Sequence, residues 1–136
     1  VAGGIFGTVI AHLMFNESPI QVSAQIRSGG GQWLSEGIAT FGLVMTIIGT
    51  LRWRPEAVPT AVALFITAAY WFAASTSFAN PAVTIARSLT DSFSGIAPMS
   101  APAFIGAQII GAILGTFLMA WLLKTTQHPS SSERNR

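Results

Sequence analysis

Few side chains in this sequence can do chemistry, and those that can are hydrogen-bonding rather than reactive. The run Ser77-Phe78-Ala79-Asn80-Pro81-Ala82-Val83 turns on Asn80-Pro81. Asn is a strong helix N-cap, and Pro suits the first helical position, where its missing N–H costs nothing. A helix starting there presents four unpaired N–H groups and the positive end of its dipole. In a soluble protein this would be no more than a helix start. Glu36 is a single carboxylate inside a long apolar run, expensive to bury and therefore a functional candidate. His12 reads as a hydrogen-bonded structural histidine, and Gln108, in a Gly/Ala-rich segment, as a polar link between helices. The 136 residues contain no cysteine, which excludes disulfides, thiolate metal sites and a cysteine nucleophile. No spaced set of His, Asp and Glu suggests a metal site, and no nucleophile or nucleotide motif suggests an enzyme. The sequence therefore points to no enzyme activity, metal or cofactor.

The elements that must position these groups follow from composition. Apolar residues make up 51% of the chain and charged ones 9%, against the roughly 25% charged of soluble domains. Mean hydropathy is +0.56. Twelve charged side chains cannot coat a water-soluble globule of this size. The isoelectric point near 10.0 reflects a net charge of only +2, and no basic cluster would grip nucleic acid. The reading is an integral, multi-pass membrane protein whose main partner is the lipid bilayer.

A spanning helix needs about 20 mostly apolar residues at 1.5 Å each. The gaps between charges predict three spans, about Gln32–Leu51, Ala57–Thr76 and Ala101–Leu123. Val1–Phe15 is apolar but short. It lacks a basic leader or cleavage site and reads as a helix whose beginning lies upstream, in a missing N-terminal half. Basic residues set the orientation. Arg52, Arg54, Lys124, Arg134 and Arg136 fall inside, and Arg27 and Arg87 outside, if Val1–Phe15 runs outward. The C-terminus is then cytoplasmic. Trp33, Trp53 and Trp121 fall near span ends, at the membrane interfaces. In this topology Asn80–Ser100 begins and ends on the outer side. Its short apolar helix either lies on the surface or re-enters the membrane. Re-entry is tolerated only beside protein or a water-filled cavity, and so implies a pore or binding site.

Gly3-Gly4-Ile5-Phe6-Gly7-Thr8 aligns with Gly111-Ala112-Ile113-Leu114-Gly115-Thr116. Both are small-xxx-small faces that allow close helix packing. The topology gives the two helices opposite directions, as in inverted-repeat architectures with their site at mid-membrane. Two unrelated Gly-rich helices would share the pattern by composition alone.

Glu36 near the start of one span, Asn80-Pro81-Ala82 after the next and a Gly-rich last span resemble the second half of the aquaporin and glycerol-facilitator (major intrinsic protein) family. The resemblance covers essentially the whole chain. It implies an all-α membrane protein: an aquaporin-like right-handed bundle with a re-entrant half-helix, an inverted repeat of which only the second copy is complete. Residues 1–15 would end the third helix and 16–31 form an external loop. Residues 32–124 would hold helices four and five, a re-entrant half-helix at 80–91 and helix six, followed by a disordered cytoplasmic tail at 125–136. The family implies homotetramers of full-length protomers, each with its own pore. There Asn80 would donate to passing solute, Pro81 and Ala82 would pack on a matching corner, and Glu36 would accept from backbone N–H groups of the re-entrant loop.

By the same resemblance three of the four filter positions fall on Ala68, Ser77 and Val83. Water-selective members usually carry His at the first and Arg at the last, and both are absent here. The implied constriction is wide and weakly polar. Absence of the filter arginine resembles a bacterial aquaglyceroporin subgroup associated with arsenite passing as neutral As(OH)3, which implies a bacterial inner membrane. Arg87, one turn beyond Val83, would bring a charge to the vestibule or pair with Asp91 at i,i+4; the pairing is the expectation.

The leading reading is a passive channel for small neutral solutes: water, glycerol-like polyols and As(OH)3. The alternative is a truncated, non-conducting membrane scaffold or assembly fragment. A proton-coupled exporter using Glu36 ranks last, because it gives Asn80-Pro81-Ala82 no role.

Overall fold

The computed structural model describes residues 1–124 and is entirely helical where regular. The tail at 125–136, expected to be disordered, lies outside the described residues. Helix α1 spans Ala2–Met14, α2 Gly30–Trp53, α3 Val58–Phe72, α4 Pro81–Arg87 and α5 Ala101–Lys124.

Local chemistry sets the ends of these helices. Gly29, at φ 108°, lets the chain enter α2 through a conformation that a side chain would oppose. Helix α2 stops at Trp53 because Arg54 precedes a proline and takes φ −145°, outside the helical region. A single 3-10 turn, Pro55–Ala57, then leads into α3. Helices α2 and α5 have 24 residues each, enough to cross a bilayer. The hydroxyls of Thr40, Thr46 and Thr116 bond back to carbonyls four residues earlier, at 2.9, 2.8 and 2.8 Å. They thus need no water, as an apolar setting demands.

The third helix departs from expectation. Where the sequence suggested a span to Thr76, α3 ends at Phe72 and Ala73 is extended. The next hydroxyls compete with the helical ladder: Ser75 Oγ accepts from the Ser77 N–H at 3.3 Å. Thr76, Ser77 and Ala79 all adopt positive φ, at 62°, 49° and 48°. The loop from 73 to 80 is thus tightly coiled, and its conformation is costly for residues with side chains. The short helix is also shorter than expected, Pro81–Arg87 rather than 80–91. The carbonyls past its end are taken by other segments. Ile96 N–H donates to Arg87, Ser23 N–H to Ser88 and Gln21 N–H to Leu89, at 3.2, 3.0 and 3.1 Å.

Small residues bring the helices together. Helix α5 crosses α2 at Gly111, where an added Cβ would collide with the backbone of Gly37. A Cβ at Gly115 would lie 3.0 Å from the Phe41 carbonyl. Gly111 and Gly115 therefore act as a close-packing face. The other Gly-rich face behaves differently: among the described residues a Cβ at Gly3 or Gly7 would meet nothing within 4 Å, whereas Gly4 approaches Ala86 of α4. The buried apolar core is small. One cluster joins Ala39, Ala73 and Ala79, and another Phe78, Ile96 and Phe104 with Val83 packed against it. Phe6, Leu64, Trp71, Phe117 and Trp121 are exposed, as are Trp33 and Trp53. So apolar a surface needs lipid or protein against it rather than water.

Candidate functional site

The polar atoms of the interior converge on the loop between α3 and α4. Glu36, on α2, is fully buried. Its carboxylate accepts from the Phe78 N–H at 3.3 Å and from the Ala79 N–H. It also accepts from the Gln108 amide at 2.8 Å. A buried carboxylate is tolerable only when its lone pairs are used in this way. In return it satisfies two backbone donors in a loop that has no ladder of its own.

Gln108, on α5, spends both amide hydrogens: one on Glu36, the other on Thr84 Oγ1 at 2.7 Å. Thr84 is fully buried on α4, and its hydroxyl donates to the Asn80 carbonyl at 3.1 Å. One network therefore fastens α2, α4 and α5 to the same corner. Among the described residues the Gln108 oxygen has no hydrogen-bond partner.

Asn80 is the N-cap of α4. Its Oδ1 accepts from the Ala82 N–H at 2.8 Å, with Pro81 at the first helical position. The side-chain oxygen is thereby committed inward. Among the described residues the amide nitrogen has no partner, and Asn80 is exposed. The corner therefore offers a pair of free donors held by a capped helix.

The three filter candidates lie in different settings. Ala68 is exposed on α3, next to the fully buried Ala69. Ser77 is buried, and its hydroxyl has no partner among the described residues. Val83 is half-buried against the Phe78, Ile96 and Phe104 cluster. A cavity of about 690 Å³ reaches Val83, Arg87, His12, Thr90 and Asp91, but takes in neither Ala68, Ser77 nor Asn80.

The expected Arg87–Asp91 pair does not form. Asp91 instead accepts from the Ala24 N–H at 2.9 Å. Helix α4 ends at Arg87, so the i,i+4 register that would align the two is lost. The Arg87 guanidinium lies over the Phe78 ring, 4.6 Å from its centroid, and its buried Nη1 has no partner among the described residues. His12 is buried, with Nδ1 3.0 Å from the Pro19 carbonyl and Nε2 2.8 Å from Thr90 Oγ1. A carbonyl only accepts, so Nδ1 carries the hydrogen. Among the described residues no three His, Asp or Glu side chains come together as a metal site.

Sequence reasoning passed over Arg27. It sits in the irregular segment before α2, yet it is buried. Its Nε donates to Gly95 O at 2.7 Å, Nη2 to Phe93 O at 2.7 Å and Nη1 to Ser75 O at 3.3 Å. Burial pushes its pKa below the ordinary value, with the Glu36 carboxylate acting in the opposite sense. The one available signal was its isolation, as the only charge between Glu17 and Glu36.

Residues 34–135 match the family model described as major intrinsic protein. The chain is 57% identical over 124 residues to "Aquaglyceroporin AqpS" of Rhizobium meliloti (strain 1021). The match takes in 91% of this chain and 53% of that relative, so the chain spans about half the relative's length. No solved structure matches. The family consists of integral membrane channels rather than enzymes, and its fold is the all-helical aquaporin bundle. By the family match and the identity together, this chain belongs to the major intrinsic protein family.

Proposed function

We propose that this chain supplies the second repeat of a passive channel for small neutral solutes, with Asn80 as the hydrogen-bond donor in the pore. The observation that carries the proposal is the clamp of Glu36 on the Phe78 and Ala79 N–H groups, which holds the corner while the Asn80 amide nitrogen stays free. In this reading α4 is a re-entrant half-helix, and its Asn80-Pro81-Ala82 corner meets a matching corner from the other repeat. Desolvated solute hydroxyls find donors there, and the gradient alone drives movement.

Ala68, Ser77 and Val83 line the outer constriction in this reading. Ala and Val offer neither bulk nor hydrogen bonds, so the opening admits solutes larger than water. The Ser77 hydroxyl is buried and has no partner among the described residues, a polar group at this position that neither Ala68 nor Val83 supplies. The relative's designation as an aquaglyceroporin supports glycerol and water as permeants. As(OH)3, a neutral triol-like molecule of similar size, is proposed on the same chemistry. We further propose a homotetramer with one pore per protomer, the C-terminus in the cytoplasm and residues 16–31 on the outer side.

The test is volume relaxation of proteoliposomes holding the protein from its complete reading frame, challenged with water, glycerol and arsenious acid gradients. Passage of glycerol and arsenious acid above the rate of empty liposomes supports the proposal. Liposomes with correctly inserted protein that respond like empty ones would leave the non-conducting scaffold as the better reading.

A further inference from the structure

Val83 leaves the last filter position without charge, but positive charge lies beside it. Arg27 and Arg87 come from segments far apart in the chain, and both guanidinium groups lie over Phe78, 5.2 and 4.6 Å from the ring centroid. Phe78 adjoins Ser77 in sequence and packs with Val83. Neither arginine touches a carboxylate among the described residues. The three acceptors of Arg27 are neutral carbonyls, on Ser75, Phe93 and Gly95. The nearby acids are engaged elsewhere: Asp91 with the Ala24 N–H, Glu17 with Gln21, and Glu36 with Phe78, Ala79 and Gln108.

Arg27 is buried and Arg87 half-buried; with no counterion among the described residues such charges are costly, and carbonyl dipoles with one ring face compensate them only in part. A loop needing only a rivet would do as well with a neutral donor. We infer that Arg27 and Arg87 together form the channel's cation barrier, standing in for the charge that Val83 lacks; this inference rests on the channel reading above. A cation approaching Asn80 meets two unneutralised positive charges through low-dielectric protein, where their field is weakly screened. A neutral polyol carries no net charge to repel.

The experiment uses the protein from its complete reading frame in liposomes, with two readouts on the same vesicles. One is glycerol-driven volume change. The other is proton leak under a potassium–valinomycin potential. Wild type is expected to pass glycerol while leaking protons no faster than empty liposomes. Arg87→Met and Arg27→Gln each remove a charge, and Gln keeps an amide donor for the carbonyls. Each should raise the leak about tenfold, the order expected for losing one unit charge roughly 10 Å away at an effective permittivity near 20. Arg87→Lys should stay tight. If both neutral variants pass glycerol without added leak, the inference falls while the channel reading stands. If wild type passes no neutral solute, both fall. Should Arg27→Gln fail to insert, Arg87→Met decides alone: a leaky variant supports the barrier and a tight one overturns it.

Discussion

The amide nitrogen of Gln108 on α5 stands 2.8 Å from the carboxylate of Glu36 on α2, although 72 residues separate them. That contact decides how the loop from 73 to 80 is held. Glu36 faces the loop's backbone N–H groups, and Gln108 satisfies the carboxylate while its second hydrogen fixes Thr84 of the short helix. Loop, helix and capped Asn80 are therefore set by one hydrogen-bond network together with the apolar contacts of Ala73, Phe78 and Ala79.

Removing Gln108 should loosen that network. Gln108→Leu leaves a buried carboxylate and a buried hydroxyl each short of a partner, at a cost of about 1–3 kcal/mol. Gln108→Glu should be worse, because it sets two carboxylates side by side. Thermal unfolding in detergent should order the proteins wild type, then Leu, then Glu.

Glu36→Gln replaces two acceptor oxygens with one and turns an amide donor toward groups that already donate. A loss of about 2–3 kcal/mol follows from breaking hydrogen bonds to a charged group, seen as a lower unfolding temperature and reduced glycerol passage. In the wild type, an imposed pH gradient should leave glycerol flux unchanged. Flux that follows the gradient and vanishes in Glu36→Gln would instead indicate proton coupling.

In the proposed channel, Val83→Arg should add bulk and charge to the outer constriction. Glycerol passage is expected to fall about tenfold, equivalent to roughly 1.4 kcal/mol in barrier, while water still passes. Comparing glycerol and water relaxation rates in the same liposomes checks this.

Much of the architecture was legible because charge and apolar length mark membrane helices. Helices α2 and α5 extend the expected spans by one or two residues at their ends. The end of α3 was not legible: Ser75, Thr76 and Ser77 carry no charge, so hydropathy cannot distinguish them from helix, yet their hydroxyls and Glu36 favour a coil. The cap at Asn80 was readable because Asn-Pro has a local meaning. The role of Arg27 was not, since its partners at Ser75, Phe93 and Gly95 are remote in sequence. The Arg87–Asp91 expectation failed for a related reason: periodicity holds only while the helix continues, and tertiary hydrogen bonds claim the backbone just past Arg87.

The most direct test of the account replaces Asn80 with Asp. The change preserves the cap, because a carboxylate oxygen still accepts from the Ala82 N–H and suits a helix N-terminus. It exchanges the free amide donors for a carboxylate oxygen that only accepts, and adds a negative charge beside the helix N-terminus. The account predicts an unchanged unfolding temperature together with glycerol relaxation slowed by at least about tenfold, the loss of roughly one good hydrogen bond in the barrier. Glycerol passage equal to wild type in a stably inserted Asn80→Asp protein would contradict it.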